Sequence, residues 1–213
     1  MCSPGATLFF SAVSRIVRFL LGVAAIAVLA WALAGCGGRN PQFKATDITG
    51  AEFGKDFELA DHNGKTRRLA DFRGKAVALF FGYTQCPDVC PATLAEFAAA
   101  LKQLGNDADR VQVLFVTIDP ERDTQALLAQ YVPAFNPAFL GLRGDAEATA
   151  RTAKQFRVFF QKQAGKTAEG YTMDHSAGTY IYDQRGRLRL YAKYGEGADA
   201  LVHDLRLLLA EKD

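Results

Sequence analysis

Cysteine and histidine, the side chains that most often bind soft metals or act as nucleophiles, are scarce in this sequence. The 213 residues include four cysteines and three histidines. Cys2 precedes an apolar N-terminal stretch and Cys36 ends it, which leaves Cys86 and Cys90 as the thiols of the remaining chain. A framework of several structural disulfides is therefore excluded, and thiol chemistry outside the N-terminal stretch must use this one pair.

The sequence also lacks an excess of charge of either sign. The net charge is +2, and Arg15 and Arg18 are the only charged residues before Cys36. The rest of the chain therefore carries equal numbers of basic and acidic residues. Without a basic excess, nucleic acids and other polyanions are not expected as partners.

Residues 19–38 form an uncharged, apolar stretch that directly follows the two arginines. A basic segment followed by an apolar one is typical of an export signal. The stretch ends in Leu33-Ala34-Gly35-Cys36, which is similar to a lipobox, the site at which bacterial lipoproteins are cleaved and acylated at cysteine. A transmembrane anchor is the alternative, because about 20 apolar residues can cross a bilayer.

Both interpretations predict an exported domain, anchored to the cytoplasmic membrane and facing the periplasm. Residues 1–35 are then a signal, a lipoprotein leader or a membrane anchor. Residues 36–53 mix Asn, Pro, Gly and Thr and are expected to be a tether, and residues 54–213 are expected to fold.

The pattern of apolar residues in this domain predicts an α/β fold. Continuous apolar runs predict strands buried on both faces of a largely parallel sheet, and spacings of three and four residues predict helices. A mixed sheet flanked by helices, with an N-terminal hairpin extension, follows from the order of the elements. The predicted strands are 76–81, 111–118 and 156–160, and the predicted helices are 91–104, 124–131, 145–156 and 201–209. Two hairpins centre on 61–65 and 183–187, and residues 161–170 are expected to be a hairpin loop or an excursion.

Cys86 and Cys90 lie between the first of these strands and the helix that begins near Pro91. Ligands bind beyond the carboxyl ends of parallel strands, so this loop lies at the functional edge of the sheet. A purely structural disulfide is a poor explanation, because so short a loop removes little chain entropy. The pair is expected to be redox-active or metal-binding, and the helix start should favour the thiolate.

A third ligand would have to come from one of the histidines. His62 lies beside an Asn-Gly turn and is expected to be a solvated loop residue, and His203 falls on the polar side of the last helix. His175 precedes the strand predicted at 179–182. The residues alone leave open whether His175 is a ligand or has a structural role. Two thiolates and an imidazole would suit Cu(I), tolerate Cu(II) and also accept Zn(II).

Three blocks of this sequence resemble the signatures of the Sco/SenC family: FFGYTQCPDVCP at 80–91, TIDPERD at 117–123 and DHSA at 174–177. Members of this family are thioredoxin-like, membrane-anchored copper proteins of cytochrome c oxidase assembly. The resemblance implies a thioredoxin-like fold and copper, Cu(I) or Cu(II), held by Cys86, Cys90 and His175. It further implies delivery of copper to the Cu(A) site of the copper-bearing oxidase subunit, with other copper chaperones as additional partners.

Two functions are carried forward from these residues, and a third is weaker. The first is a copper metallochaperone. The second is a thiol–disulfide oxidoreductase, in which Cys86 and Cys90 are the catalytic redox pair and reduce the cysteines of a partner's copper site. The three-residue spacing and the absence of a proline before Thr179 argue against a general oxidoreductase. A zinc-binding or peroxide-handling protein is the third.

Three aspartates near the signature blocks are secondary candidates. The candidates are Asp174, Asp88 and Asp119. A carboxylate bonded to a ligating imidazole would fix its tautomer, and an aspartate within the cysteine loop could instead supply an oxygen donor or modulate thiolate charge. The alternative for each is an ordinary solvated or helix-capping aspartate.

Overall fold

The structure is a computed structural model that describes residues 42–164 and 170–211. Its strands are β1 (Thr46–Asp47), β2 (Leu59–Asp61), β3 (Thr66–Arg67), β4 (Ala76–Gly82), β5 (Val111–Thr117), β6 (Leu140–Arg143), β7 (Phe160–Ala164), β8 (Tyr171–His175), β9 (Thr179–Tyr182) and β10 (Leu188–Ala192). Its α-helices are α1 (Val89–Leu104), α2 (Gln125–Tyr131), α3 (Ala146–Gln155) and α4 (Ala198–Ala210).

Eight of the strands form one mixed sheet in the order β1-β10-β9-β4-β5-β6-β2-β3. β5 runs parallel to β4 on one side and to β6 on the other, whereas β9 is antiparallel to β4. Every residue of β4 and β5 is buried, as their continuous apolar runs predict. α1 packs against α4. The prediction of a mixed α/β sheet with helices is confirmed.

The N-terminal hairpin is also confirmed. β2 and β3 pair antiparallel around the Asn63-Gly64 turn, and β2 then pairs with β6 at the edge of the sheet. Asp61 fixes the turn by accepting hydrogen bonds from the backbone N–H groups of Asn63 (2.9 Å) and Lys65 (3.0 Å).

The segment expected to be a tether, residues 36–53, is already part of the fold in its described portion. Thr46 and Asp47 form β1, the edge strand of the sheet, which pairs with β10. The backbone N–H groups of Lys44 and Ala45 each donate to the buried carboxylate of Asp204 at 2.8 Å. Apolar packing also holds this region, since Ala45 is buried and Phe43, Ile48 and Phe53 pack against the core.

The structure differs from the sequence prediction at two places after residue 139. It contains β6, which the sequence pattern does not predict, and residues 156–159 do not form the expected strand. Phe156 instead ends α3 as a fully buried residue, and Arg157 has a φ of +55° that is incompatible with a strand.

The described part of the segment 161–170, expected to be a hairpin loop or an excursion, lies in a hairpin but contains most of its first strand. β7 and β8 pair antiparallel and form a separate two-stranded sheet, with Phe160 opposite His175. This hairpin places His175 at the end of β8, directly before the main-sheet strand β9.

The leader, anchor and Cys36 predicted for the N-terminal region lie outside the described residues. Between residues 42 and 211, where the structure is described, no helix combines the length and the apolar character that crossing a bilayer requires.

Candidate metal centre

The two cysteines extend from the end of a central strand. β4 ends at Gly82, and α1 begins at Val89, so Cys86 lies in the connecting loop and Cys90 in the first turn of α1. The Cys86 N–H donates to the Tyr83 carbonyl at 3.2 Å. The Cys90 N–H donates to the Cys86 Sγ at 3.4 Å, which holds the two sulfurs on the same side of the loop. Both thiols are free.

His175 reaches this pair from 85 residues further along the chain. Its Nε2 lies 3.7 Å from the Sγ of Cys90. The two sulfurs and a ring nitrogen of His175 all lie within 4.8 Å of one another. The structure therefore brings together the three residues that sequence analysis named as ligands.

The hydrogen bond at the other ring nitrogen sets the tautomer of His175. Nδ1 lies 2.9 Å from the carbonyl oxygen of Ser176. A carbonyl can only accept, so Nδ1 carries the hydrogen and the lone pair of Nε2 faces Cys90. Asp174, one of the candidates for this role, does not have it, because its exposed carboxylate accepts from Gln163 Nε2 at 2.8 Å.

Aromatic rings surround the imidazole. The rings of Phe80 and Tyr83 meet that of His175 edge-on, with centroids 6.2 and 6.0 Å away. Burial lowers the pKa of His175, against opposing effects of the Ser176 carbonyl and Asp174. The imidazole is therefore neutral at neutral pH, which is the form that binds metals.

Burial has the opposite consequence for the thiol of Cys90, which has no exposed surface. It raises the pKa of Cys90 above the usual range for a thiol, because a thiolate is poorly solvated there. The expectation that the helix start favours the thiolate does not hold for this residue, because desolvation is the largest influence on its pKa. Cys86 is partly exposed, so it is the more accessible sulfur.

The remaining aspartates differ in their surroundings. Asp88 is exposed and occupies the position before α1 without a side-chain capping bond. Asp119 is buried, with one oxygen 2.5 Å from Arg122 Nε and the other accepting from the Tyr171 hydroxyl at 2.7 Å. Burial, together with this carboxylate, raises the pKa of Tyr171 to about 12.

Sequence analysis missed the role of Asp123, which lies directly before the helix cap. Thr124 is the cap, since its hydroxyl accepts from the Leu127 N–H. Asp123 is fully buried and accepts from the Thr84 N–H (3.0 Å), the Thr84 hydroxyl (2.6 Å) and the Thr117 hydroxyl (2.6 Å). It fastens the start of the cysteine loop to the end of β5. Burial raises its pKa, although these hydrogen bonds oppose the shift.

The other two histidines lie apart from the described donor cluster. His203 is exposed on α4, as predicted. His62 is buried rather than solvated, and its Nδ1 accepts from the Gly141 N–H at 3.0 Å. Its role is structural, because it links the N-terminal hairpin to β6.

The donor set fits copper on chemical grounds. Two sulfurs and one imidazole nitrogen suit Cu(I), and thiolates and imidazoles also bind Cu(II) and Zn(II). Phe80 and Tyr83 shield one side of the cluster, whereas Cys86 is partly open to solvent.

Comparison with known proteins agrees with this arrangement. The family model described as SCO1/SenC matches residues 45–210, which is most of the chain. The chain belongs to the SCO1/SenC family. The Sco/SenC resemblance drawn from the three sequence blocks is thereby confirmed.

Individual SCO1/SenC relatives cover the same region. The chain is 39% identical over 157 residues to the mitochondrial SCO2 homolog of Bos taurus, covering 73% of this chain and 59% of that protein. It thus spans about three-fifths of the length of this curated relative.

Two solved structures support the thioredoxin-like fold expected for the SCO1/SenC family. Apo Sco1 from Thermus thermophilus is 40% identical with a TM-score of 0.71, covering 81% of this chain and 100% of that one. ScoI of Bradyrhizobium japonicum with copper bound is 39% identical with a TM-score of 0.68, covering 74% and 99%. The mixed sheet flanked by helices is the fold of these proteins.

Proposed function

We propose that this protein is a copper metallochaperone that carries one copper ion on Cys86, Cys90 and His175. The observation that supports this most is the convergence of these three donors within 4.8 Å. The similarity to a ScoI protein with copper bound supports copper over zinc as the cargo. Membership of the Sco family supports a role in cytochrome c oxidase assembly.

The protein's own groups suit the uptake of a soft cation. The neutral imidazole of His175 has Nε2 free, because Nδ1 is held by Ser176. Both thiols must lose their protons when they bind the metal. Cys86 is the more exposed ligand, so an incoming donor of a partner replaces it with the least rearrangement, while buried Cys90 leaves last.

The proposed recipient is the copper-bearing subunit of cytochrome c oxidase, at its Cu(A) site. We also propose that residues 1–35 anchor the domain to the membrane on the periplasmic side, through lipidated Cys36 or a single span. Other copper chaperones would then load the site. The neutral charge balance of the exported chain supports recognition by specific contacts rather than by a strong overall field.

Copper transfer between purified domains tests this proposal. The reduced domain is loaded with one equivalent of Cu(I) and mixed with the metal-free, reduced Cu(A) domain. We expect the absorption bands of Cu(A) to appear after oxidation, and Cys86→Ser, Cys90→Ser and His175→Ala each to reduce the transferred copper. His203→Ala is the matched control and should transfer normally. Transfer that persists in all three site variants would refute the proposal.

The same cysteines support thiol–disulfide exchange as a second function, because the pair is free and combines an accessible sulfur with a buried one. The Cys86 thiolate attacks a partner disulfide, forming a mixed disulfide and releasing one partner thiolate. The Cys90 thiolate then attacks the Cys86 sulfur, closing the Cys86–Cys90 disulfide and releasing the second partner thiolate. Two electrons pass to the partner, and the oxidised pair has no thiolate left for copper.

His175→Ala separates the two functions. If reduction of an oxidised Cu(A) domain is the main activity, this variant retains it while losing tight copper binding. If copper delivery is the main activity, the variant fails to deliver copper even when the acceptor is supplied already reduced.

A further inference from the structure

The segment that carries His175 is separate from the main sheet. β7 and β8 pair with each other, and the eight-stranded sheet does not include them. The nearest main-sheet pairing joins Phe80 to Thr179, which follows His175 in the chain, so the ladder does not include the hairpin itself. The contacts between this hairpin and the cysteine loop therefore help to set whether the imidazole reaches the sulfurs.

Apolar packing alone does not fill the space under the hairpin. A cavity of about 260 Å³ separates it from the loop after β5 and from α3. Phe160 and Met173 line it from the hairpin, and Ile118 and Pro120 line it from the body. The ion pair between Lys162 and Glu121 is solvent-exposed, and such pairs contribute little.

Arg122 makes several of the contacts that join the hairpin to the cysteine loop, alongside the edge-on contact of the Tyr83 ring with the His175 ring. Its guanidinium carbon lies 3.5 Å from the centroid of the Tyr171 ring, and one terminal nitrogen donates to the Tyr171 carbonyl at 2.9 Å. The same nitrogen donates to the side-chain oxygen of Gln85, the neighbour of Cys86, at 3.2 Å. Arg122 thus contacts the first residue of β8 and the residue before the first ligand.

Asp119 completes this connection. Its carboxylate binds Arg122 Nε through one oxygen and the Tyr171 hydroxyl through the other. Because Asp119 is buried and the arginine side chain is only 18% exposed, these bonds are well shielded from water. These contacts require the planar guanidinium of arginine, because the side chain stacks on the Tyr171 ring while its nitrogens donate hydrogen bonds to Asp119 and to the Tyr171 carbonyl.

We propose that Arg122 is a positioning residue that latches the His175 hairpin onto the cysteine loop, so that loss of the latch turns a three-ligand site into a two-ligand one. The inference rests on the proposed copper site. Arg122 acts through the placement of the imidazole and contacts no ligand atom itself.

The test is a double-mutant cycle between Arg122→Met and His175→Ala, with Cu(I) affinity measured by competition with a chromogenic chelator. We expect Arg122→Met to weaken affinity about 10- to 100-fold, the usual effect of changing groups that orient a metal ligand. In the His175→Ala background the same substitution should change affinity less than about threefold, because no imidazole remains to be placed.

Two further variants keep the test decisive. Tyr171→Phe removes only the hydroxyl that bonds Asp119, so it tests the latch if Arg122→Met fails to fold, and it should weaken affinity in the same His175-dependent way. Arg151→Met is the matched control, since Arg151 forms an exposed pair with Glu147 on α3. It should leave affinity unchanged.

Electron paramagnetic resonance of the Cu(II) form measures the nitrogen coupling to the bound copper, which general destabilisation of the fold does not change. Arg122→Met should reduce the nitrogen coupling of the bound copper, as His175→Ala does. The latch is refuted if folded Arg122→Met and Tyr171→Phe bind copper as the parent does, or if Arg122→Met is equally harmful without His175. If His175→Ala itself has no effect on copper binding, the proposed function fails instead.

Discussion

Cys90 illustrates how two local effects oppose each other at one residue. It lies in the first turn of α1, where backbone N–H groups and the helix dipole stabilise a negative charge. It is also completely buried, and burial raises its pKa. The metal-free protein therefore keeps a proton on this sulfur at neutral pH, and copper must displace it.

Copper affinity should accordingly rise with pH. Between about pH 6 and pH 8 the Cys90 thiol of the metal-free protein stays protonated. Each unit of increase in pH therefore raises copper affinity about tenfold, because the Cys90 proton competes less with copper. Burial lowers the pKa of His175 below its ordinary value of 6.5. Protons on the imidazole therefore do not compete with copper above about pH 6.5. Competition titrations at several pH values, corrected for proton binding by the chelator, measure this slope. An affinity that does not change with pH would contradict the assignment of Cys90 as a ligand.

Asp123 is a residue whose removal should affect the whole domain. Asp123→Ala would leave the Thr84 N–H and the hydroxyls of Thr84 and Thr117 without their acceptor. We expect the free energy of unfolding to fall by about 3 kcal/mol, measured by urea denaturation of the metal-free domain.

Asp107→Ala is the control for this prediction, because Asp107 forms a half-exposed pair with Arg110. It should change stability by less than about 1 kcal/mol. Equal losses in the two variants would show that the Asp123 carboxylate has no special stabilising role.

The elements differ in how well the sequence predicts them. β4 and β5 are continuous apolar runs long enough to be recognised from sequence alone. β6 has four residues and includes Gly141, where a Cβ would lie 3.1 Å from Val132 and 3.2 Å from Leu128. The close approach of α2 requires glycine there, and glycine weakens the strand pattern.

The β7–β8 hairpin escaped prediction for a different reason. Its residues are mostly polar and partly or fully exposed, so no apolar alternation marks the strands. Pairing of the two strands, rather than burial, defines the element, and pairing partners cannot be read from either strand alone.

The end of β4 is adapted to the metal site. A Cβ on Gly82 would lie 2.8 Å from the Cys90 Sγ and 2.8 Å from Phe115 Cε2. Gly82→Ala should therefore displace the sulfur, weaken copper binding about tenfold or more, and reduce stability by about 1–3 kcal/mol. Chelator competition and urea denaturation of the same preparation measure the two effects.

Gly105→Ala is the matched control at the other end of α1. Nothing lies within 4 Å of its added Cβ, but its φ of +60° makes alanine unfavourable, by about 1–2 kcal/mol. It should lose stability and keep copper affinity. If Gly82→Ala also keeps its affinity, the packing of β4 against the sulfur has no influence on the site.

At the scale of the whole molecule, the site combines local and distant information. The two cysteines are predictable as a functional pair from their position between a strand and a helix. His175 is 85 residues from Cys90. Sequence patterns set His62 and His203 aside, but only the family resemblance identified His175 as a ligand. The groups that orient the ligands, Ser176, Asp123 and Arg122, depend on three-dimensional contacts for which the sequence offers no periodic or spacing signal.

X-ray absorption spectroscopy of the Cu(I)-loaded domain is the most direct test of the central claim that Cys86, Cys90 and His175 bind one copper ion. The parent protein should show two sulfur ligands and one imidazole nitrogen per copper. His175→Ala should lose the nitrogen and retain both sulfurs. An unchanged first coordination sphere in His175→Ala would contradict the account, because copper would then be held without the imidazole that the fold places at the cysteine pair.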